Sequence, residues 1–308
     1  MKNIFNLCMV LLFTSFLQLH AQDTIGTDDG TIDTTTILAD KIKLKVDFTP
    51  STIYRFTLSL SQKISQELMG SPIEATKSVR YTATSEVVSS NGNGTIIKAI
   101  YEEIAVDIDM PQGDFRFDSG KDSMSSIITS IVNRPFLIYL DQQGKVVKEE
   151  EVFDTKEETL IDQSTALALA GLELLKEYRI AKMLEADLMI LPDYPIEIGE
   201  NWQKNSQQRI NDQFNLNNTA TYTLESLNED LAWINLEGVV SSPIDGENSV
   251  GSEVNIEGTQ SGTIEVERSS GLILSNDMHQ EVEGLVKSQD FEVPIKIITD
   301  RSITGEKL

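Results

Sequence analysis

Apolar and polar residues alternate along most of this chain. Tyr54, Phe56, Leu58 and Leu60 are interleaved with Arg55, Thr57, Ser59 and Ser61, a period of two that predicts a half-buried strand. Val79, Tyr81 and Ala83 begin another, and Asn91 to Gly94 (Asn-Gly-Asn-Gly) marks a turn. Beyond the turn, Ile97, Ala99 and Tyr101 stand at odd positions, whereas Ile104, Val106, Ile108 and Met110 stand at even ones. A change of parity would carry the apolar set to the other face of a sheet unless one residue is looped out. The pattern therefore predicts a bulge near Glu102 and Glu103. Two hairpins share one plan. Phe136 to Val147 and Gly262 to Leu274 each read as a strand, a short polar turn with a glycine, and a second strand. In the later one Ile264 and Val266 face one way, Glu265 and Glu267 the other, and Gly271 can take the positive φ of a tight reversal.

In the middle of the chain the period changes. Met124, Ile127, Ile128, Ile131 and Val132 fit a helix, with Asp122 or Ser123 as cap and Pro135 beyond its end. A longer helical region is predicted from about Lys156 to Met189, with a possible break near Ser164. There Leu160, Leu167, Leu174, Ala181 and Leu188 recur every seven residues, and Leu191 to Pro195 (Leu-Pro-Asp-Tyr-Pro) stops it. Strands then resume. Pro195 to Trp202 reads as a turn carrying a buried aromatic residue, Tyr222 and Leu224 share a face, and Ala232, Ile234 and Leu236 share another with Trp233 opposite. After a Gly/Pro/Asn/Asp/Ser loop from Ser241 to Val250, Glu253 to Glu267, Leu272 to Glu283 and Phe291 to Ile297 complete the strands.

Strands, then helices, then strands predict an α+β fold. The expected architecture is a long, strongly curved antiparallel sheet, half-barrel-like, with one or two central helices packed on its concave face. Residues 46–303 form one β-rich domain in this reading. Its two β halves, 46–154 and 195–303, are joined by the helical segment 155–190.

Composition narrows the function classes. Forty-nine acidic residues against 25 basic ones give a net charge of −24, which repels nucleic-acid phosphates and anionic lipid surfaces and favours solubility. Residues 1–21 look like a signal peptide: Lys2, an apolar run from Leu7 to Leu19, and Ala21 before Gln22. The run is shorter than the ~20 residues a membrane-spanning helix needs. Cleavage after Ala21 removes Lys2 and no acid, so the mature chain carries −24 − 1 = −25. It also removes Cys8, the only cysteine, and with it any disulfide or thiolate metal site. An acidic, aperiodic leader is expected over 22–45. An exported protein of the periplasm, cell surface or medium follows, with no integral membrane segment after the signal is removed.

Candidate chemistry is sparse. With His20 in the signal, His279 stands alone, so neither a histidine triad nor a multi-histidine metal site can be built. Asp107 and Asp109 project from one strand face opposite Val106 and Ile108, the placing of a solvated outer face. The stretch Gly258 to Thr263 is glycine-rich, but no helix follows to present its N-terminus to a phosphate, and a strand bend is the simpler reading. No catalytic residue, metal ligand or cofactor site is expected.

Three features together resemble a family of uncharacterised secreted proteins from Bacteroidetes: the signal ending Ala21-Gln22, the segment Pro195 to Trp202, and Gly258 to Leu274. The resemblance implies an envelope or secreted location and no particular activity. More distantly, the layout is similar to periplasmic lipoprotein-carrier and lipid-binding half-barrels. The expected function is a non-enzymatic envelope or secreted binding protein. Its apolar ligand, a lipid for example, would lie between sheet and helices, lined by Ile127, Ile131, Leu167 and Leu174. The alternative is a structural or protein-interaction module of the envelope with no small-molecule ligand.

Overall fold

Period-two stretches this long bury one face of an extended chain and leave the other wet, so they are stable only side by side. A computed structural model describes residues 18–21, 41–68, 70–111, 113–121, 130–150, 171–210, 214–242, 253–288 and 291–308. The first half holds β1 (Gln18–Ala21), β2 (Ile53–Leu68), β3 (Ser71–Asn91), β4 (Gly94–Met110), β5 (Gly113–Asp118), β6 (Phe136–Leu140) and β7 (Val146–Glu149). Helix α1 (Ile180–Met189) follows, then β8 (Asn201–Ile210), β9 (Phe214–Leu227), β10 (Leu231–Ser241), β11 (Glu253–Glu267), β12 (Ile273–Ser288) and β13 (Phe291–Lys307). Among the described residues these thirteen strands form one sheet in the order β1-β8-β9-β10-β11-β12-β13-β2-β3-β4-β6-β7, with β5 also on β4. Neighbouring strands run antiparallel, and the sheet is open, since β1 and β7 are its two ends. The two β halves meet where β13 pairs β2, from Ile295 opposite Gln66 to Lys307 opposite Tyr54.

The alternation translates directly into an inner face. Tyr54, Phe56, Leu58 and Leu60 are buried, and so are Ile97, Ala99, Tyr101, Ile104, Val106, Ile108 and Met110. The parity change is met by the expected bulge: Thr82 faces Glu103 and Ala83 faces Tyr101, so Glu102 is skipped. Both hairpins form, as β6–β7 and β11–β12. At the second, the Gly271 amide donates to Glu267 O at 2.8 Å with φ +72°, and a Cβ there would run into the Lys45 carbonyl. Gly258 is tight for a different reason: its Cα faces the Glu281 and Val282 backbone of β12 too closely to admit a side chain.

Helix content departs from expectation in two places among the described residues. The predicted helix ending at Val132 lies mostly outside the described residues, and its described end is not helical. Ile131 is in a turn and Val132 forms a lone bridge to Tyr101 of β4. Of the long helical region, 156–170 lies outside the described residues. Residues 171–177 are helical, and the chain bends at Tyr178–Arg179 before α1; the expected break near Ser164 lies outside the described residues. The bend is held by Tyr101, whose hydroxyl accepts the Ile180 N–H at 3.0 Å. No side chain of the N-cap residue Arg179 does so. The expected leader over 22–45 is also too long, because Ile42 bridges Ile196 and Leu44 is buried. Strand β1, within the expected signal peptide, pairs Gln18 with Arg209 of β8; cleavage after Ala21 would make β8 the sheet edge.

Two apolar clusters fill the inner side. The larger joins β2–β6 and β11–β13 to Leu174, Ile180, Met183, Leu184 and Leu188. Tyr81 and Tyr101 meet edge to face at 5.2 Å, and Tyr101 stacks with Phe136 at 5.6 Å. The smaller cluster centres on Trp202 stacked with Tyr222 at 5.7 Å. Trp202 Nε1 donates to Ile190 O at 2.7 Å, tying the end of α1 to β8. Replacing Trp202 by phenylalanine leaves that carbonyl without its donor and is expected to cost about 1–2 kcal/mol in urea unfolding. An unchanged midpoint would show that another donor replaces the indole.

One row breaks the apolar pattern. Gln260 of β11 faces Gln280 of β12, which faces Thr299 of β13, then Gln62 of β2, then Lys77 of β3. All five are buried. Gln62 Nε2 donates to Thr299 Oγ1 at 3.3 Å, whereas Gln62 Oε1 has no partner among the described residues.

Candidate functional site

Helix α1 carries more apolar surface than one contact needs. Ile180, Ala181, Leu184 and Leu188 are buried against the core. A second row, Met183, Ala186 and Met189, recurs at a spacing of three and turns toward another wall. That wall comprises Lys204 and Ser206 of β8, Asn218, Ala220 and Tyr222 of β9, Arg301 of β13 and Leu58 of β2. Between helix and sheet lies a cavity of 490 Å³, within the ~300–1,000 Å³ usual for small-molecule sites.

The polar groups here are few and strongly placed. Asp187, on the buried side of α1, accepts from Asn276 Nδ2 of β12 at 3.2 Å and from Arg301 Nη2 at 3.4 Å through the same oxygen, Oδ1. Burial pushes the Asp187 carboxyl above the usual aspartate range, against the pull of Arg301 and Asn276. Arg301 Nε and Asn276 Oδ1 have no hydrogen-bond partner among the described residues. Burial likewise raises the Glu177 carboxyl, although Lys182 Nζ lies 3.5 Å away. Arg179 Nε meets Glu149 at 2.5 Å, and Lys204 Nζ meets Asp193 at 3.6 Å. Tyr222 is held protonated by desolvation.

The four residues expected to line a ligand space are distributed differently. Ile131 and Leu174 are buried in the larger apolar cluster and are not among the residues around this cavity. Ile127 and Leu167 lie outside the described residues. Among the acids and histidine weighed for catalysis, Asp107 is half-exposed and pairs with Arg116 at 3.3 Å. His279 Nδ1 contacts Asp300 at 2.7 Å on an exposed strand face. Among the described residues no group of three or more metal-ligating side chains converges, and no helix is long and apolar enough to cross a membrane.

Asp187, Asn276 and Arg301 did not stand out in the sequence, yet a signal for two of them is there. Arg301 continues the odd-numbered inner row Val293, Ile295, Ile297 and Thr299, and Asp187 sits in the helical stripe between Leu184 and Leu188. A charge inside each of two apolar stripes is the mark of a buried pair.

A second depression, of 570 Å³, lies across β2, β3 and β11–β13. Glu67, Glu257 and Glu283 line it with exposed side chains, and Gln66 adds a buried amide without partners among the described residues. It is broad, open to solvent and remote from α1.

No curated protein matches the chain. Among solved structures it is similar to lipovitellin, described with its lipid–protein interactions, at 9% identity and a TM-score of 0.46 over 84% of this chain. It spans only 25% of the lipovitellin chain. An outer membrane channel from Pseudomonas putida F1 aligns at 7% identity and TM-score 0.25, covering 88% of this chain and 100% of the channel. The OccK9 protein of Pseudomonas aeruginosa aligns at 6% identity and TM-score 0.20, covering 84% and 98%. All three likenesses are loose. The family assignment rests on more than half of the chain: residues 92–273, from the β3–β4 turn to the start of β12, match as a unit, and the protein belongs to the family of unknown function DUF6263.

Proposed function

We propose that the protein is a non-enzymatic binding protein, exported to the periplasm, cell surface or medium, that holds an apolar ligand between α1 and the sheet. The 490 Å³ cavity carries this reading. It is walled by Met183, Ala186 and Met189 on the helix and by Leu58, Ala220 and Tyr222 on the strands. A helix that only sealed a core would present one apolar stripe; this one presents two. Methionines adapt their shape to varied apolar partners. The signal-like first 21 residues support export, and the net charge of −24 argues against a nucleic-acid partner.

Native mass spectrometry of protein purified gently from its host, with organic extraction of whatever accompanies it, tests the reading. A stoichiometric apolar adduct is expected. Ala186→Trp, which fills the cavity from the helix side, is expected to weaken uptake of a neutral apolar fluorophore at least tenfold while leaving the fold's melting temperature within a few degrees. A clean apo mass together with no fluorophore uptake by the unmodified protein would overturn it and favour the interaction-module reading.

A further inference from the structure

We infer that the cavity's ligand is an anionic amphiphile, an acyl chain ending in a carboxylate or phosphate, whose head group pairs with Arg301. The inference rests on the apolar-ligand reading and adds the head group.

Charge is distributed against the trend of the molecule at this site. The chain carries about two acids for each base, yet the cavity is lined by Lys145, Arg179, Lys182, Lys204 and Arg301 against only Glu177 and Glu185. Three of those cations are committed elsewhere: Arg179 to Glu149, Lys182 to Glu177 and Lys204 to Asp193. Arg301 is held loosely by its carboxylate. One nitrogen reaches one oxygen of Asp187 at 3.4 Å, longer than a charge-assisted bond of ~2.7–2.9 Å. Its Nε is buried with no partner among the described residues. A guanidinium offers five donors in a planar fork suited to a two-oxygen anion; among the described residues its only hydrogen bond is the one from Nη2 to Asp187, and Arg301 lines the apolar space. Lys145 is exposed and has no carboxylate partner among the described residues, and it adds a positive charge at the rim. An apolar ligand without a head group would leave the Arg301 donors as they are; an anion satisfies them.

The test compares a sixteen-carbon fatty acid with the matching fatty alcohol in competition for the same fluorophore, on the mature protein at neutral pH. The acid is expected to bind at least about tenfold tighter, the worth of a charged hydrogen bond. The double substitution Asp187→Asn with Arg301→Gln, which removes both charges, is expected to abolish that preference while retaining alcohol binding. Equal binding of acid and alcohol to the unmodified protein would overturn the head-group inference and leave the apolar-ligand reading standing. A preference for the acid that survives the double substitution would overturn the role of Arg301. Binding of neither would overturn both readings.

Discussion

Asp187→Ala is expected to destabilise the fold by about 3–5 kcal/mol, because it strands Arg301 inside the protein without its carboxylate. The pair is expensive to keep. Burial pushes the Asp187 carboxyl upward despite its two donors, so ionising it inside the fold costs more than ionising it in water. The sign follows. A carboxyl raised in the folded state is protonated there at a pH where the unfolded chain is already ionised. Its penalty is therefore absent below the unfolded value and grows as pH rises through the folded one. Asp187→Asn keeps the acceptor for Asn276 and is expected to cost less than Asp187→Ala. Replacing both charges with apolar residues, Asp187→Leu with Arg301→Met, is expected to cost far less than the sum of the single changes and to approach neutrality. Urea denaturation of these variants and of the two single components of the double one measures this, and additive losses would show that the two charges do not act as a pair. Such a costly pair is the expected signature of a group retained for another purpose, and the head-group site supplies one.

The strands were legible because their signal is local. Each inner row from Tyr54 to Leu60 or from Ile104 to Met110 is a run of alternate residues that needs no partner to be recognised. The Glu102 bulge followed from the same rule, since a parity change has few other solutions. Both hairpins carried turn glycines whose positive φ, +84° at Gly144 and +72° at Gly271, the structure requires. What was not legible is non-local. Nothing in β13 announces that it will pair β2 and so merge the two halves. The bend at Tyr178–Arg179 depends on the Tyr101 hydroxyl, which bonds Ile180 79 residues away in sequence. The cavity shows the same limit. A helical apolar stripe identifies residues that leave water, but not whether they meet a core or a cavity. Leu174 meets the core, Met183 both packs in the core and borders the space, and Met189 borders the space. The charges at the site were passed over because acids and bases are common in this chain. Their meaning lies in breaking an apolar row, which becomes evident only once the row has been drawn to its full length.

Lys77 is the clearest example of a broken row, and removing it is expected to stabilise the protein. It lies on β3 in the inner series Ala75, Val79, Tyr81 and Ala83, opposite Gln62. It has no carboxylate partner among the described residues. Desolvation pushes its ammonium down from 10.5 to about 8. At ~1.4 kcal/mol for each tenfold change in proton affinity, that drop amounts to roughly 3 kcal/mol of destabilisation at neutral pH. Below about 8 the ammonium is charged both in the fold and in the unfolded chain, so the penalty is fully present. Between 8 and 10.5 the unfolded chain holds the proton that the folded one has released, and stability rises with pH until the penalty is gone. Lys77→Met retains the unbranched apolar stem without the charge. It is expected to raise the unfolding free energy by about 3 kcal/mol at pH 7 and by little near pH 10.5. Urea denaturation at the two pH values checks both the size and the trend. A gain that is the same at both would locate the effect in packing, not in charge. No gain at either would mean that water reaches the ammonium and that the polar row from Gln260 to Lys77 is hydrated along its length.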